Sequence, residues 1–169
     1  KNFQKMNNIS FIGMAACGKS TIGKAVANKI GISFVDTDLI IEQKYEATLE
    51  EIKNKYDYKF VRHEEEKVIL NLTSSKRIIS TGGSAVYSVK SMEHLKKFSK
   101  IIYINTPLEI IMERIDVGQK RGLAVPEGMS IPEIYSEREP LYQKYCEIIL
   151  DGSKTIDQLV DETIKQLYE

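Results

Sequence analysis

One stretch near the start of the chain reads Gly13-Met14-Ala15-Ala16-Cys17-Gly18-Lys19-Ser20-Thr21 and fits the pattern G-x-x-x-x-G-K-[ST]. A mostly apolar run over residues 9–12 precedes it, and a pattern with helical periodicity follows it. In such a stretch the glycines let consecutive backbone N–H groups turn inward around phosphate oxygens. The lysine adds a charge over the β- and γ-phosphates, and the serine hydroxyl is a ligand for Mg²⁺. We therefore predict a phosphate-binding loop with nucleotide contacts from Gly13, Ala15, Ala16, Cys17, Gly18, Lys19, Ser20 and Thr21. A glycine-rich turn without a ligand is the alternative, and the flanking strand and helix patterns argue against it.

The composition of the chain limits its partners. Its 169 residues fit one domain, predicted to span 1–169 with a core over 7–169. The 24 basic residues balance the 24 acidic ones, so no overall field draws the chain to nucleic acid or to a membrane surface. The two cysteines, Cys17 and Cys146, have no neighbours typical of a zinc site, and no apolar run approaches about 18 residues. We therefore expect a cytoplasmic protein without a nucleic-acid or membrane partner.

Short apolar runs alternate with longer amphipathic stretches along the chain. The runs are rich in β-branched residues and nearly continuous, as in parallel strands covered on both faces. We predict strands over residues 9–12, 32–35, 78–80, 101–104 and 148–150. We predict helices over residues 19–30, 37–45, 49–56, 58–73, 91–99, 107–115, 131–145 and 155–167. This order predicts a doubly wound α/β domain with a five-stranded parallel sheet and ligands at the carboxyl ends of its strands.

Polar residues follow the second predicted strand. Asp36 and Asp38 are separated by Thr37 at a strand-to-helix corner, so their carboxylates can point in different directions. One carboxylate can face a metal held by the phosphate loop and the other a second substrate, as phosphoryl transfer requires. Capping of the following helix by one of these three residues is the alternative.

Arg62 and Glu65 lie three residues apart on one face of a predicted helix. Either they form a surface ion pair worth about 0.3–0.5 kcal/mol, or Arg62 is a planar fork for an anionic substrate. Gly82 and Gly83 follow the third strand, where their N–H groups can bind an anion or merely form a turn.

Residues 117–130 break the alternation and contain three glycines, a proline and the adjacent cations Lys120 and Arg121. A long loop inside a compact domain is usually functional or disordered. These cations suit a lid over approximately 116–130 that closes on phosphates, and a solvated loop with incidental charge is the alternative. Residues 54–57 match the N-K-x-D motif of GTPases in letters, but they close a helical stretch, so we interpret the match as coincidence.

Taken together, these motifs resemble the shikimate kinase family over almost the whole chain. The match covers residues 11–21 and 36–38, Arg62 with Glu65, Gly82-Gly83, Arg121, and Arg138 followed by Pro140-Leu141-Tyr142. The resemblance implies transfer of the γ-phosphoryl group of ATP to the 3-hydroxyl of shikimate with Mg²⁺. It also implies a three-layer P-loop fold of the nucleoside-monophosphate-kinase type, with strand order 2-3-1-4-5. We expect a monomer whose partners are small molecules, namely ATP and shikimate or a similar acid.

The resemblance also implies roles for single residues. On the nucleotide side, Lys19 would hold the β- and γ-phosphates and Arg121 would neutralise the γ-phosphoryl group. Ser20 would ligate Mg²⁺, and Asp36 would reach the metal through water. Arg114 would stack on adenine, and Lys154 would border the base. On the acceptor side, Asp38 would orient the nucleophile or also deprotonate it. Arg62 and Arg138 would clamp the carboxylate beside Gly82 and Gly83.

Three departures from the family pattern fall on the acceptor side and the lid. Ser84 replaces the third glycine of a triplet, Gly122 follows Arg121 where proline is usual, and Val61 replaces a phenylalanine. They leave open a kinase for another hydroxylated carboxylic acid. A non-catalytic nucleotide-binding regulator and a P-loop GTPase are further alternatives.

Overall fold

The five apolar runs form one sheet in the computed structural model, which describes residues 8–116 and 123–168. All neighbouring strands are parallel, and their order is β2-β3-β1-β4-β5. This order confirms the predicted fold class. The strands are β1 (Asn8–Ile12), β2 (Ser33–Asp36), β3 (Arg77–Ser80), β4 (Lys100–Asn105) and β5 (Ile148–Asp151).

Eight helices in the described part of the chain connect or flank these strands. They are α1 (Lys19–Ile30), α2 (Thr37–Tyr45), α3 (Leu49–Lys55), α4 (Tyr58–Leu70), α5 (Val89–Phe98), α6 (Leu108–Asp116), α7 (Ile131–Tyr145) and α8 (Ile156–Tyr168). The α5 helix begins two residues earlier than predicted because the Ser88 hydroxyl accepts a hydrogen bond from the Ser91 N–H and caps it. A short 3-10 turn at Ala85–Tyr87, which we did not predict, lies between β3 and α5.

The central strand β1 is buried along its whole length. The one hydroxyl in this strand, on Ser10, hydrogen-bonds to Ser99 Oγ at 2.8 Å, so it is satisfied inside the core. The helices around the sheet form two groups: α1 packs against α8, and α4 and α5 pack against each other and against the 3-10 turn. A second, smaller apolar cluster joins Ile41, Leu49, Ile52, Val61 and Ala124. Among the residues that the structure describes, no helix combines the length and apolar character needed to cross a membrane.

The register of the sheet brings the candidate site residues to one edge. Asp36 at the end of β2 pairs with Ser80 at the end of β3, and Ser80 pairs in turn with Phe11 near the end of β1. Because the strands are parallel, the phosphate loop, the Asp36 corner and the segment after Ser80 all leave the sheet at the same side. The fold therefore places three separate sequence motifs side by side.

Candidate active site

The loop between β1 and α1 has the backbone that its glycines predict. Gly13 and Gly18 have φ angles of 148° and 108°, in the region that residues with a side chain rarely adopt. A Cβ on Gly13 would also lie 2.8 Å from the Ile104 carbonyl oxygen. Ala16 has a φ of 64°, and its carbonyl oxygen accepts a 2.8 Å hydrogen bond from Arg114 Nη1. Arg114 thus supports the loop from the side where we predicted the base.

The Lys19 side chain is buried within the phosphate loop. Its ammonium group donates to the carbonyl oxygens of Gly13 at 2.7 Å and Met14 at 2.8 Å. No carboxylate lies within ion-pair distance of it among the described residues, so its charge is available to an anion. The loop borders a cavity of about 200 Å³. Nearly all the predicted nucleotide residues line this cavity, namely Ala15, Ala16, Cys17, Gly18, Lys19, Ser20, Thr21, Arg114 and Lys154.

Asp36 caps the helix that follows it and also contacts the first turn of α1. Its Oδ1 accepts a hydrogen bond from the Leu39 N–H at 3.2 Å and so caps α2. Its Oδ2 accepts a 2.7 Å hydrogen bond from Ser20 Oγ, which also lies 3.1 Å from Ser80 Oγ. The cap orients the carboxylate, and the second oxygen faces the hydroxyl at the start of α1. These are oxygen ligands of the type that Mg²⁺ prefers.

Glu65 forms the buried centre of the acceptor side. Its Oε2 accepts hydrogen bonds from the Gly82 N–H at 2.7 Å and from Thr37 Oγ1 at 2.8 Å. Its Oε1 accepts from Ser84 Oγ at 3.3 Å. Burial raises the pKa of the Glu65 carboxyl, although these hydrogen bonds act in the opposite direction. The described structure contains no ion pair between Glu65 and Arg62, so the surface ion pair that was one interpretation does not form.

Arg138 is the largest polar side chain at this edge that is fully buried, with 1% of its surface exposed. Its Nη1 lies 2.5 Å from the position that a Cβ on Gly83 would take. Its Nε donates to the Tyr87 hydroxyl at 3.4 Å, and its Nη2 has no hydrogen-bond partner among the described residues. A buried guanidinium nitrogen without a partner costs free energy, and an anion bound there would remove that cost.

Arg62 approaches the same region from α4. Its Nε donates a 2.7 Å hydrogen bond to the Ala124 carbonyl oxygen, and its guanidinium carbon lies 3.8 Å from the centre of the Tyr87 ring. Partial burial lowers the pKa of Arg62, and the nearby Arg138 charge lowers it further. Arg62 and Arg138 therefore form one cationic region in contact with a single tyrosine.

A small cavity of about 30 Å³ lies between the acceptor residues and the phosphate loop. Asp38, Gly83 and Ala15 line both this cavity and the larger one beside the loop. Leu123 and Ala124 form one wall of the small cavity, which has room for about two water molecules. Two residues from the middle of the predicted lid therefore line the cavity together with the predicted acceptor residues.

The structure brings most of the predicted site residues to one edge. Arg121, together with Lys120 and Gly122, lies outside the described residues. Ser84 lines the small cavity, and its hydroxyl donates a hydrogen bond to Glu65. Residues 54–57 lie at the end of α3, where Asp57 Oδ1 accepts from the Phe60 N–H and caps α4, which supports the interpretation as coincidence. Tyr87 is a contact of both arginines that the sequence analysis missed, since no spacing rule marks it.

A phosphate loop after the central strand, with a cationic pocket at the same edge of a 2-3-1-4-5 sheet, defines a P-loop kinase with the nucleoside-monophosphate-kinase-like fold. The family model described as "Shikimate kinase" matches residues 15–168. The chain therefore belongs to the shikimate kinase family, which makes it a phosphotransferase that acts on an alcohol group and uses ATP.

Individual relatives agree with this assignment. A shikimate kinase of Clostridium botulinum (strain Eklund 17B / Type B) is 35% identical over 159 residues, which cover 94% of this chain and 96% of that protein. Shikimate kinase 2 of Yersinia pestis (strain Pestoides F) is 29% identical over 164 residues, 94% of each chain. The solved structure of the Acinetobacter baumannii shikimate kinase in complex with shikimate superposes with a TM-score of 0.83 at 28% identity, covering 98% of this chain and 95% of that one.

Proposed function

We propose that the chain transfers the γ-phosphoryl group of ATP to the 3-hydroxyl of shikimate, with Mg²⁺ as the metal. The observation that carries the proposal is the buried Nη2 of Arg138 beside the phosphate loop, which has no hydrogen-bond partner within residues 8–116 and 123–168. A planar carboxylate suits this guanidinium and that of Arg62, because a carboxylate accepts two parallel hydrogen bonds. The Acinetobacter baumannii relative, which was solved in complex with shikimate, supports a ring acid as the acceptor.

On the nucleotide side, we assign the β- and γ-phosphates to the loop N–H groups and Lys19. The donor set near Lys19 fits Mg²⁺, since Ser20 Oγ and Asp36 Oδ2 lie 2.7 Å apart and both are oxygen ligands. The described residues hold no cluster of three or more His, Cys, Asp or Glu side chains able to bind a metal. The ion would therefore take its remaining ligands from the phosphates and from water, and when bound it would neutralise the phosphate charge.

Asp38 is the residue that we assign to the acceptor hydroxyl. It lines both cavities, so a hydroxyl beside it faces the phosphate loop. Its carboxylate would orient the attacking oxygen and accept its proton as the bond to phosphorus forms. The Gly83 N–H and the two arginines would hold the ring acid at its carboxylate end. The Gly82 N–H already donates to Glu65, so a contact of Gly82 with the acceptor would use other atoms.

The acceptor is tested by steady-state ADP release with shikimate, quinate, gluconate and dehydroshikimate. We expect turnover of shikimate with the highest kcat/KM of the four. Turnover of another acid with none above background on shikimate would overturn the assignment of the acceptor and leave that of the kinase intact. Binding of ATP and shikimate in calorimetry without any turnover would instead favour the non-catalytic regulator, and a preference for GTP would favour the GTPase.

Some assignments stay predictions. They are the role of Arg121 in the lid, the monomeric state, the single domain over 1–169, the cytoplasmic location and the absence of a nucleic-acid partner.

A further inference from the structure

Two cationic side chains at the acceptor site share one aromatic ring. The centre of the Tyr87 ring lies 3.8 Å from the guanidinium carbon of Arg62 and 5.5 Å from that of Arg138. The phenol oxygen accepts a 3.4 Å hydrogen bond from Arg138 Nε and donates one of 3.1 Å to Glu137 Oε2. Tyr87 thus contacts both Arg62 on α4 and Arg138 on α7.

The two guanidinium groups repel each other unless something offsets their charges. Within the described ranges, neither group has a carboxylate within 4.0 Å. The face of an aromatic ring attracts a cation without neutralising it, and a phenol oxygen accepts a hydrogen bond without adding a full charge. The Tyr87 side chain therefore holds both cations in place and leaves their charge for an incoming anion.

The surroundings of Arg62 offer little else to fix its position. Arg62 and Tyr87 both line a further cavity of about 220 Å³, which shares Ser84 with the small acceptor cavity. Loss of the ring would enlarge this cavity and give the guanidinium room to rotate away from Arg138. Among the described residues, the other contacts of the Arg62 guanidinium group are a hydrogen bond to the Ala124 carbonyl oxygen and the Tyr58 ring, whose centre lies 4.9 Å from the guanidinium carbon.

We propose that Tyr87 is a positioning residue that pre-arranges Arg62 and Arg138 for the carboxylate of the acceptor. This inference rests on the proposed function, because it takes the two arginines as the carboxylate clamp. Pre-arrangement lowers the conformational cost of binding, so its effect belongs to the affinity for the acceptor and not to that for the nucleotide. Of the two arginines, Tyr58 contacts the Arg62 guanidinium group and not that of Arg138 in the described structure, which makes it the matched comparison.

The test compares Tyr87→Leu, Tyr87→Phe and Tyr58→Leu in steady-state kinetics with both substrates varied. Loss of a partly desolvated cation–π contact predicts a rise of about tenfold in the acceptor KM of Tyr87→Leu. The KM for ATP and kcat should stay within about twofold of the wild type. Tyr87→Phe keeps the ring, so it should restore most of the acceptor affinity, and Tyr58→Leu should change the acceptor KM less than Tyr87→Leu does. An unchanged acceptor KM in Tyr87→Leu, or equal rises in both KM values, would overturn the proposal.

A second measurement separates this proposal from the proposed function. In nuclear magnetic resonance spectra, the Arg62 Nε–H proton should be shifted upfield by the ring current of Tyr87, and that shift should vanish in Tyr87→Leu and persist in Tyr58→Leu. The measurement needs no turnover. Failure of the wild type to phosphorylate shikimate would refute the acceptor assignment, whereas an Arg62 resonance indifferent to Tyr87→Leu would refute the positioning role.

Discussion

Replacement of Gly83 by alanine tests whether the Arg138 guanidinium has any freedom to move. The new Cβ would lie 2.5 Å from Arg138 Nη1, 3.3 Å from the Ala15 backbone nitrogen and 3.6 Å from the Gly13 carbonyl oxygen. Ordinary contact begins at 3.4 Å, so Nη1 must move by about 0.9 Å (3.4 minus 2.5) while the Ala15 nitrogen must move by only about 0.1 Å. The perturbation therefore falls on the acceptor side of the site.

Arg138 cannot make this movement freely, because it is fully buried and its Nε is hydrogen-bonded to Tyr87. Overpacking of this kind costs about 1–3 kcal/mol of stability. A displacement of nearly 1 Å at the proposed carboxylate clamp predicts a fall of about a hundredfold in kcat/KM for the acceptor. The KM for ATP should change much less.

The assay is ADP release at varied acceptor and varied ATP, together with urea denaturation of each variant. Gly31→Ala is the matched control, since a Cβ there meets no atom within 4 Å and the cost comes only from the φ of 71°. It should lose about 1–2 kcal/mol of stability from the left-handed backbone and keep both KM values. An acceptor kcat/KM within twofold of the wild type in Gly83→Ala would refute the rigid placement of Arg138.

Three further substitutions test separate parts of the site. Lys19→Ala should lower kcat by about a hundredfold or more, because the transferring group loses a preorganised charge; a loss below tenfold in the ADP assay would contradict this role. Arg62→Lys should raise the acceptor KM more than the ATP KM, because the planar fork is lost; equal rises would make Arg62 structural. Burial raises the pKa of Glu65 in the folded chain, so folding takes up a proton and the free energy of unfolding falls as the pH rises from the ordinary carboxyl pKa through the raised one. Glu65→Gln should remove that dependence, so in urea titrations from about pH 4 upward the variant should gain stability relative to the wild type. A difference in the free energy of unfolding that stays the same at every pH would contradict a raised pKa for Glu65.

The sheet and the nucleotide side could be predicted from the sequence because their signals are local. The phosphate loop lies in nine consecutive residues, and each buried strand is a short apolar run between polar segments. The helix α1 has the predicted bounds since Gly31, with its φ of 71°, ends it where the pattern ends. Parallel strands then determine which edge carries the ligands.

The contacts on the acceptor side could not be predicted in the same way, because they join residues far apart in the chain. Nothing near Tyr87 in the sequence marks it as a partner of Arg62 and Arg138, which lie 25 residues before it and 51 after it. Likewise, Ser84 departs from the family pattern, and only the structure shows that its hydroxyl donates to Glu65. At Asp36, the sequence predicts either a cap or a site role, and the structure shows the cap on one oxygen and a hydrogen bond from Ser20 on the other, so the site role stays a prediction.

The buried carboxylate of Glu65 explains how these distant segments hold one geometry. Through Thr37 it fixes the start of α2, which carries Asp38, and through the Gly82 N–H it fixes the corner that leads to Gly83. Because Glu65 itself lies on α4, less than one turn after Arg62, the same contacts set how far that helix stands from the sheet. The buried carboxyl group of Glu65 has three hydrogen-bond donors, so a shift of any one segment leaves part of it unsatisfied. Glu65 therefore couples the positions of Arg62, Asp38 and the Gly82-Gly83 turn. A fixed arrangement of these groups is what holds an acceptor hydroxyl in line with a phosphate.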